Sequence, residues 1–467
     1  MKSDIIIIGG GAAGLMAALG AAKRFETSPV GGTVTVLEKQ QNIGRKIMVT
    51  GKGRCNFTNV KGWEEFSAHV RAGVQLLDPA WHSLTPEDVI ALFKSNGMPS
   101  VVERGDRAFP ASHLSGDVVD ALRRAATLAG VKIVSGCKVE AIENVGRFFR
   151  LACTQTTVKE FRPRPEPGRR SPAAPVRTET TTEQVNYACS RLIIATGGLS
   201  YPWTGSDGDG YRFAKSLGID HTDLSPSLTA LVPAGYKDII KESELHGHIE
   251  RLNPLSEKGA LFNKGKLDNV KLSLYIDGSL SREEFGDIEF TDGGLEGPLG
   301  FAVSREAVKA LIRGGKVSVS IDLKPAVELE KLDEDVHGRW SEIVRDPRSK
   351  GAPFKKLFRI LLGKLMPWEL TLAFLADNPS VSVDSMASSL KDWKMDIEGF
   401  VGYERAVVTA GGIGQSEVIP KTLESRRVDG LYFAGEVLDI DADTGGYNLQ
   451  CAFSTGWLAG LSAAASL

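Results

Sequence analysis

The stretch IIIIGGGAAGLMAALGAA, residues 5–22, decides the fold. Its four isoleucines form the unbroken β-branched run of a strand that is buried in a parallel sheet. From Ala12 onwards, alanine and leucine favour a helix. Between these two parts, Gly9, Gly11 and Gly14 form the pattern G-x-G-x-x-G at the strand-to-helix turn. The stretch therefore predicts the first strand, turn and helix of a dinucleotide-binding unit.

Each glycine of this pattern has a physical reason. Gly9 permits a tight turn, Gly11 lets the backbone approach a pyrophosphate, and Gly14 permits close packing of helix against strand. Ala12 and Ala13 belong to the first helical turn, whose N–H groups hold the phosphate. All five residues are therefore predicted to contact a dinucleotide.

The second strand of the unit is predicted over 34–37, and Glu38 and Lys39 follow it. A carboxylate at this place accepts hydrogen bonds from the ribose hydroxyls of an adenosine. Both residues are predicted cofactor contacts. The glycine pattern and the carboxylate together suit either FAD or NAD(P).

Two further glycine turns favour FAD. ATGG at 195–198 and LYFAGEVLD at 431–439 both end predicted strands, and Glu436 in the second turn could bind ribityl hydroxyls. No second G-x-G-x-x-G follows a strand in the sequence, so a dedicated nicotinamide domain is not expected. The sequence predicts one extended FAD, and NAD(P)H as a reductant that docks transiently.

The segment GRKIMVTGKGRCNFTN, residues 44–59, fits neither helix nor strand periodicity and is predicted to be a loop. Cations and backbone N–H groups stabilise the negative charge of a reduced flavin. Arg45 and Lys46 suit the pyrophosphate or the flavin edge, and Arg54 suits a substrate anion. The predicted cofactor contacts of this segment are Arg45, Lys46, Gly53, Arg54, Cys55, Asn56 and Asn59.

The segment TGGYNLQ, residues 444–450, precedes and opens the last predicted helix. Gly445 and Gly446 free the first helical N–H groups for the C2 carbonyl of a flavin. Tyr447, Asn448 and Leu449 complete the predicted contacts here. We expect segments 44–59 and 444–450 to face one another across the isoalloxazine.

Cys55 is the predicted catalytic residue. Neighbouring cations would lower the pKa of its thiol, which would make it a proton donor, a redox partner or a nucleophile. Inert packing, as in most buried cysteines, is the alternative.

Composition sets outer limits on function. The chain has 467 residues and a formal net charge of −2, so no overall field attracts nucleic acid or anionic membrane. Its five cysteines contain no C-x-x-C pair, which favours a reducing compartment, and the cytoplasm is the expected location. No apolar run reaches the roughly 20 residues of a membrane span. The histidines show no metal-ligand spacing beyond His246-Gly-His248 in a predicted loop, where solvent exposure is favoured over a ligand role, and no metal is expected.

The pattern of elements predicts an interrupted domain. Residues 1–222 and 401–467 are predicted to form one FAD-binding domain, with a disordered hairpin insertion at about 161–182. Short β-type runs between Gly-rich turns predict an antiparallel β domain over 223–325. Helical spacing predicts a small helical domain over 326–400.

The long motif GEVLDIDADTGGYNLQ, with ATGGLSYPWTGSDGDGY and the segment 44–59, resembles a bacterial family of FAD-binding flavoproteins. This family includes aminoacetone oxidase-like, bile-acid dehydro-intermediate reductase-like (BaiN-like) and ribosomal RNA dihydrouridine synthase-like members. The resemblance implies an α/β fold in which a Rossmann-type, two-dinucleotide-binding-like domain contains an inserted antiparallel β-barrel-like domain and a small helical domain. Further expected cofactor contacts are Val139, Thr196, Gly197, Gly198 and Gly435.

Two departures from the family pattern bear on substrate. Where many members have THxGLSGP, this chain has Thr291-Asp292-Gly293-Gly294-Leu295-Glu296-Gly297-Pro298, so a histidine role is not carried over. Where many members have SGGGRCN, this chain has TGKGRCN, which adds Lys52.

These observations predict an FAD-dependent oxidoreductase that transfers hydride through flavin N5. Reduction of an activated C=C by NAD(P)H is favoured, on a small unsaturated carbonyl or a uridine of ribosomal RNA. The alternatives are an oxidase of a small amine such as aminoacetone, or a low-turnover flavin-binding module that associates with RNA through the basic helix 355–364 or the Arg-rich insertion. The oligomeric state and the choice between NADH and NADPH stay open.

Overall fold

The computed structural model describes residues 1–29, 31–161, 177–240, 245–262 and 264–467. Its strands are β1 Lys2–Ile8, β2 Val34–Glu38, β3 Thr58–Asn59, β4 Val70–Ala72, β5 Ser100–Glu103, β6 Arg107–Pro110, β7 Lys132–Ser135, β8 Cys137–Val145, β9 Phe148–Phe161, β10 Arg177–Ile194, β11 Ser225–Ser227, β12 Leu231–Pro233, β13 His248–Ile249, β14 Lys266–Ile276, β15 Ser279–Thr291, β16 Gly294–Glu296, β17 Val317–Asp322, β18 Trp393–Val401, β19 Val408–Ala410, β20 Leu431–Phe433 and β21 Asp441–Ala442. Its helices are α1 Ala12–Glu26, α2 Arg45–Val49, α3 Trp63–Ser67, α4 Val74–Ser83, α5 Pro86–Ser95, α6 Ser115–Leu128, α7 Asp209–Ser216, α8 Glu257–Phe262, α9 Gly297–Ile312, α10 Leu329–Arg345, α11 Phe354–Leu365, α12 Thr371–Asp377, α13 Met386–Lys391 and α14 Tyr447–Ala465.

The chain divides into two compact units. The first unit comprises residues 1–224 and 409–467, and the second comprises residues 225–408. Each has its own apolar core. The finer boundary predicted between residues 325 and 326 stays a prediction.

The first unit is built on a sheet whose parallel strands run in the order β7-β2-β1-β10-β20, while the first part of β10 pairs antiparallel with β9 and then β8. Ile8 is level with both Leu37 and Ile194, and Ile194 is level with Phe433. The turns that follow β1, β2, β10 and β20 therefore meet at one edge of the sheet, which is where open α/β sheets bind ligands.

Helices α1 and α14 bring the two ends of the sequence together in this unit. A Cβ atom on Gly456 or Gly460 would collide with the carbonyl oxygen of Ala13 or Ala17, respectively. Gly20 lies equally close to the backbone of Trp457. Because only glycine lets the two helix backbones approach this closely, the small-residue faces of both helices fix their packing.

The second unit contains a closed antiparallel barrel of six strands in the order β12-β16-β15-β14-β17-β18, with β18 pairing back to β12. Strand β13 extends it by pairing parallel to β18. Helix residues such as Val303, Leu361 and Phe374 share one core with barrel residues such as Leu272 and Trp393. The predicted fold class, a Rossmann-type domain with an inserted antiparallel barrel and helices, is confirmed.

Two local predictions need correction. Segment 44–59 is not a loop throughout, because Arg45–Val49 form a short helix and Thr50–Gly53 a 3-10 turn; a five-residue helix is too short to show periodicity. Residues 161 and 177–182 are predicted to be disordered but lie in strands β9 and β10, where the threonines of 178–182 favour extended backbone. The rest of the predicted insertion, residues 162–176, lies outside the described residues.

Candidate functional site

The turn after β1 holds the carboxylate of the second strand. The backbone N–H of Gly10 donates to Glu38 Oε2 at 2.7 Å, and the N–H of Gln40 donates to Oε1 at 2.7 Å. Burial raises the pKa of Glu38, although these two N–H donors oppose the increase. The structure therefore places Glu38 at the predicted turn and orients its carboxylate with backbone donors.

The glycines of the turn differ in their surroundings. Gly9 has φ +107°, and a Cβ atom on Gly14 would collide with its carbonyl oxygen, so both are required by the turn itself. A Cβ atom on Gly11, in contrast, would meet no protein atom within 4 Å. Open space at this glycine, beside the first turn of α1 with Ala12 and Ala13, is what a pyrophosphate needs.

The segments 44–59 and 444–450 are in direct contact. Asn59 Nδ2 donates to the Gly445 carbonyl oxygen at 3.1 Å, and Thr58 Oγ1 donates to Gln450 Oε1 at 2.6 Å. Gly446 has φ +97°, and a side chain there would collide with the Thr58 carbonyl group. The two segments predicted to lie together are therefore joined, and the start of α14 is fixed against β3.

One polar atom at this junction lacks a protein partner. Asn56 Oδ1 is buried and accepts no hydrogen bond within the described residues. A Cβ atom on Gly446 would lie 2.8 Å from it. Buried amide oxygens are normally paired, so a donor from a bound molecule is expected here. The orphaned acceptor, the space at Gly11 and the free N–H groups at the start of α14 all fit FAD.

Lys46 and Glu436 form an ion pair at the same edge of the sheet. Lys46 Nζ donates to Glu436 Oε2 and to Ser200 Oγ, both at 2.5 Å. Ser200 Oγ donates to Glu436 Oε1 at 2.6 Å, and the Thr409 N–H donates to the same oxygen at 2.8 Å. The network links the turns after β10 and β20. Both Glu436 oxygens and the Lys46 ammonium, which were predicted to contact cofactor, are thus engaged by the protein.

Other predicted cations also have protein partners. Lys39 pairs with Asp207 and, at 2.8 Å, with Asp209. Arg45 Nη1 donates to Gln40 Oε1 at 2.5 Å. These two side chains hold neighbouring segments in place, so a direct role on the pyrophosphate stays a prediction.

The prediction that the pKa of the Cys55 thiol is lowered is wrong. The side chain is fully buried, and burial raises the pKa of its thiol to about 12. Desolvation outweighs the neighbouring cations because these lie on exposed residues such as Lys52 and Arg54. Cys55 is therefore a protonated thiol at neutral pH, and its catalytic role stays a prediction for proton donation alone.

The remaining predicted contacts fall in two groups. Val139 is buried in β8, and Gly53 ends the 3-10 turn of segment 44–59. The other residues lie in the turns after β10 and β20 or at the start of α14: Thr196, Gly197, Gly198, Gly435, Tyr447, Asn448 and Leu449. Asn448 bonds both the N–H and the carbonyl group of Ala442, which clamps the segment before α14.

Sequence reasoning missed several partners of these residues. Ser200 and Thr409 lie within or next to motifs, but their shared contact with Glu436 depends on pairing of distant strands. Glu103 and His113 contact Arg54 and have no local pattern that predicts it. Gln450 lies in the TGGYNLQ motif. A polar residue within a predicted apolar helix indicates a hydrogen bond to another segment, so this contact could have been found from the sequence.

The described helices include none that is long and apolar enough to cross a membrane. In the same part of the chain, no group of three or more histidine, cysteine or acidic side chains is arranged to hold a metal ion.

Comparison with known proteins gives a consistent assignment. Residues 3–162 and 170–462 match the family described as HI0933-like protein Rossmann domain. The chain is 31% identical over 476 aligned positions to the 3-dehydro-bile acid delta(4,6)-reductase of Clostridium scindens, covering 98% of both chains. It is 28% identical to the ribosomal RNA dihydrouridine synthases of Haemophilus influenzae and Escherichia coli, covering 98% of this chain and 98% and 96% of theirs. The chain belongs to the HI0933-like Rossmann family, and thus to the FAD-dependent oxidoreductases.

Proposed function

We propose that this protein reduces a C=C bond that is conjugated to a carbonyl group, with NAD(P)H as the source of electrons. The relative at 31% identity is named as a delta(4,6)-reductase of a 3-dehydro-bile acid. A relative at 28% identity is named for the synthesis of dihydrouridine, which is uridine with its C=C bond reduced. A small unsaturated carbonyl compound is the first candidate substrate.

The observation that carries the proposal is the junction of segments 44–59 and 444–450 around an unpaired buried acceptor, Asn56 Oδ1. FAD, when bound, supplies hydride transfer through its N5 atom. The chain contributes the first N–H groups of α14, which are free of helical partners and stabilise negative charge near them. Gly446 and Thr58 fix the direction of these groups.

The sequence supports NAD(P)H as a reductant that binds only transiently. The G-x-G-x-x-G pattern occurs once after a strand, and its turn is the one whose Gly10 N–H donates to the carboxylate of Glu38. With FAD held at this turn, NAD(P)H docks only transiently.

Anaerobic mixing of the yellow holoprotein with NADPH or NADH tests the proposal. Loss of the flavin colour, followed by its recovery when 2-cyclohexenone is added, is the expected result. A flavin that keeps its colour with both NADPH and NADH would contradict the proposal that NAD(P)H is the reductant. A bleached flavin that recovers with oxygen but not with the enone, and that aminoacetone also bleaches, would favour the amine oxidase instead.

A uridine of ribosomal RNA is the second candidate substrate, and one surface favours it. On α11, Lys355 and Lys356 are exposed beside Phe354, whose side chain is 60% exposed. The Arg359 guanidinium lies 4.4 Å from the ring centroid of Trp368, which is 50% exposed. Exposed cations interleaved with aromatic rings suit an RNA strand. Mass analysis of ribosomal RNA from cells that lack the protein tests this, and an unchanged dihydrouridine content would remove the RNA substrate.

A further inference from the structure

Arg54, Glu103 and His113 form a cluster of polar side chains in the first unit. Arg54 Nη2 donates to Glu103 Oε1 at 2.5 Å and lies 2.9 Å from His113 Nδ1. The guanidinium carbon stands 4.5 Å from the ring centroid of Phe109, a cation–π contact that helps to hold Arg54 in place. The side chains of Arg54 and His113 are 46% and 41% exposed, so the cluster is open to a ligand.

The contact with Arg54 determines which nitrogen of His113 carries a proton. A guanidinium group only donates hydrogen bonds, so Nδ1 of the imidazole must accept. The proton of the neutral ring then lies on Nε2. Within the described residues, neither His113 Nε2 nor Arg54 Nε and Nη1 contacts a protein acceptor. The cluster therefore offers the imidazole N–H at Nε2 and the guanidinium N–H groups at Nε and Nη1 as donors to a ligand.

The backbone around the cluster is strained. Lys52, Cys55, Asp106 and His113 all have φ between +54° and +61°. Non-glycine residues adopt this left-handed region at a cost, and proteins retain it where function requires a particular side-chain position. Cys55 follows Arg54 directly, so the strained segment is also the one that contacts the start of α14 through Thr58 and Asn59.

We propose that Arg54 and His113 bind the carbonyl oxygen of the unsaturated substrate and stabilise the negative charge that it acquires. This inference rests on the proposed function. As hydride from the reduced cofactor forms a C–H bond at the β-carbon, the C=C π electrons shift and the carbonyl oxygen becomes an enolate oxygen. The guanidinium and Nε2–H donors stabilise it. A proton, delivered by water either directly or through the Cys55 thiol, then forms the second C–H bond at the α-carbon, and NAD(P)H supplies the two electrons.

Arg54 and His113 meet a requirement for binding the substrate oxygen that Cys55 does not meet. A donor to the substrate oxygen must be accessible, and Cys55 is fully buried whereas Arg54 and His113 are not. Glu103 acts as a positioning residue because it contacts Nη2 of Arg54 and leaves Nε and Nη1 for the ligand.

The test uses binding of 4-chlorophenol to the oxidised holoprotein. The phenolate is planar and carries its charge on oxygen, as an enolate does, and a phenolate stacked on a flavin gives a long-wavelength charge-transfer absorbance. His113→Asn removes the Nε2–H donor, while its amide oxygen can still accept from Arg54 and asparagine tolerates positive φ. Arg54→Leu removes the cation. His337→Asn is the matched control, since His337 is a 45% exposed histidine paired with Asp384 in the second unit.

We expect the wild type and His337→Asn to bind 4-chlorophenol alike. His113→Asn and Arg54→Leu, each compared with the wild type at equal FAD occupancy, should raise its dissociation constant about tenfold or more. Wild-type affinity in either variant would overturn the inference. So would loss of FAD from both variants, because the pair would then hold cofactor. A wild type that bleaches normally but does not bind 4-chlorophenol would overturn the inference and leave the proposed function standing.

Discussion

Asn59 donates a hydrogen bond to the carbonyl oxygen of Gly445 at 3.1 Å and thereby joins positions 386 residues apart in the sequence. The same amide group donates to the Gly105 carbonyl oxygen at 3.0 Å. Asn59 is 1% exposed. One buried side chain thus fixes the segment that carries Cys55, the turn before β6 and the start of α14.

Replacement of Asn59 by alanine should lower both stability and FAD affinity. Two carbonyl oxygens would lose their donor in a buried place, so the free energy of unfolding should fall by about 1–3 kcal/mol. Denaturant unfolding and the FAD retained after gel filtration measure the two effects. Asn144→Ala, at an exposed position of β8, is the control and should change neither. An Asn59→Ala variant that keeps both the wild-type stability and the wild-type FAD affinity would show that the junction does not order the site.

Gly11→Val and Gly14→Val should fail in different ways. The valine at position 11 enters open space, so the protein should fold but bind FAD at least tenfold more weakly, because the side chain occupies the place of the pyrophosphate. The valine at position 14 collides with the Gly9 carbonyl oxygen, so the protein should unfold or aggregate. Circular dichroism and flavin absorbance separate the outcomes. A fully flavinated Gly11→Val protein would refute the placement of the pyrophosphate.

The elements near the N-terminus could be predicted because local pattern and fold agree there. The run of isoleucines specifies a buried strand, and the glycine turn specifies the helix after it; the structure has both at Lys2–Ile8 and Ala12–Glu26. The β-type runs of the inserted region were predictable for the same reason. Closure of the barrel was not, because the pairing of β12 with β18 joins distant residues.

At the site, motifs identified which segments meet but not how their charges are paired. Lys46 was predicted to contact a cofactor, and its contact with Glu436 spans 390 positions. Cys55 shows a second reason. The adjacent cations are visible in sequence, whereas the burial that decides the pKa of the thiol depends on packing by residues elsewhere in the chain.

Cys55 should affect both pH-dependent stability and turnover. The folded state holds its thiol proton more tightly than the unfolded state, since the pKa is raised from 9.0 to about 12. This contribution to stability is complete below about pH 9 and is lost as pH rises towards 12. Cys55→Ala should therefore flatten the alkaline decline of the unfolding free energy, measured by urea unfolding at several pH values.

Cys189→Ala is the matched comparison for turnover. Burial raises the pKa of the Cys189 thiol to about 12 as well, and its side chain is 2% exposed. Both variants should flatten the alkaline decline, but only Cys55→Ala should slow enone reduction, by tenfold or more, if its thiol donates a proton. Equal turnover in the two variants would restrict Cys55 to packing.

The Lys46–Glu436 pair should show strong coupling in a double-mutant cycle. Lys46→Met leaves the carboxylate of Glu436, whose side chain is 16% exposed, with only neutral donors, so we expect a loss of about 2–4 kcal/mol. Glu436→Gln removes the charge and should restore about half of that loss in the double variant, because the amide oxygen still accepts from Ser200 and Thr409. Unfolding free energies of the four proteins give the coupling.

The ion pair Lys23–Glu26, whose side chains are 60% and 58% exposed, is the control and should couple by less than about 0.5 kcal/mol in the same kind of cycle. Equal coupling free energies in the two cycles would mean that the Lys46–Glu436 pair stabilises the protein no more than an exposed ion pair does.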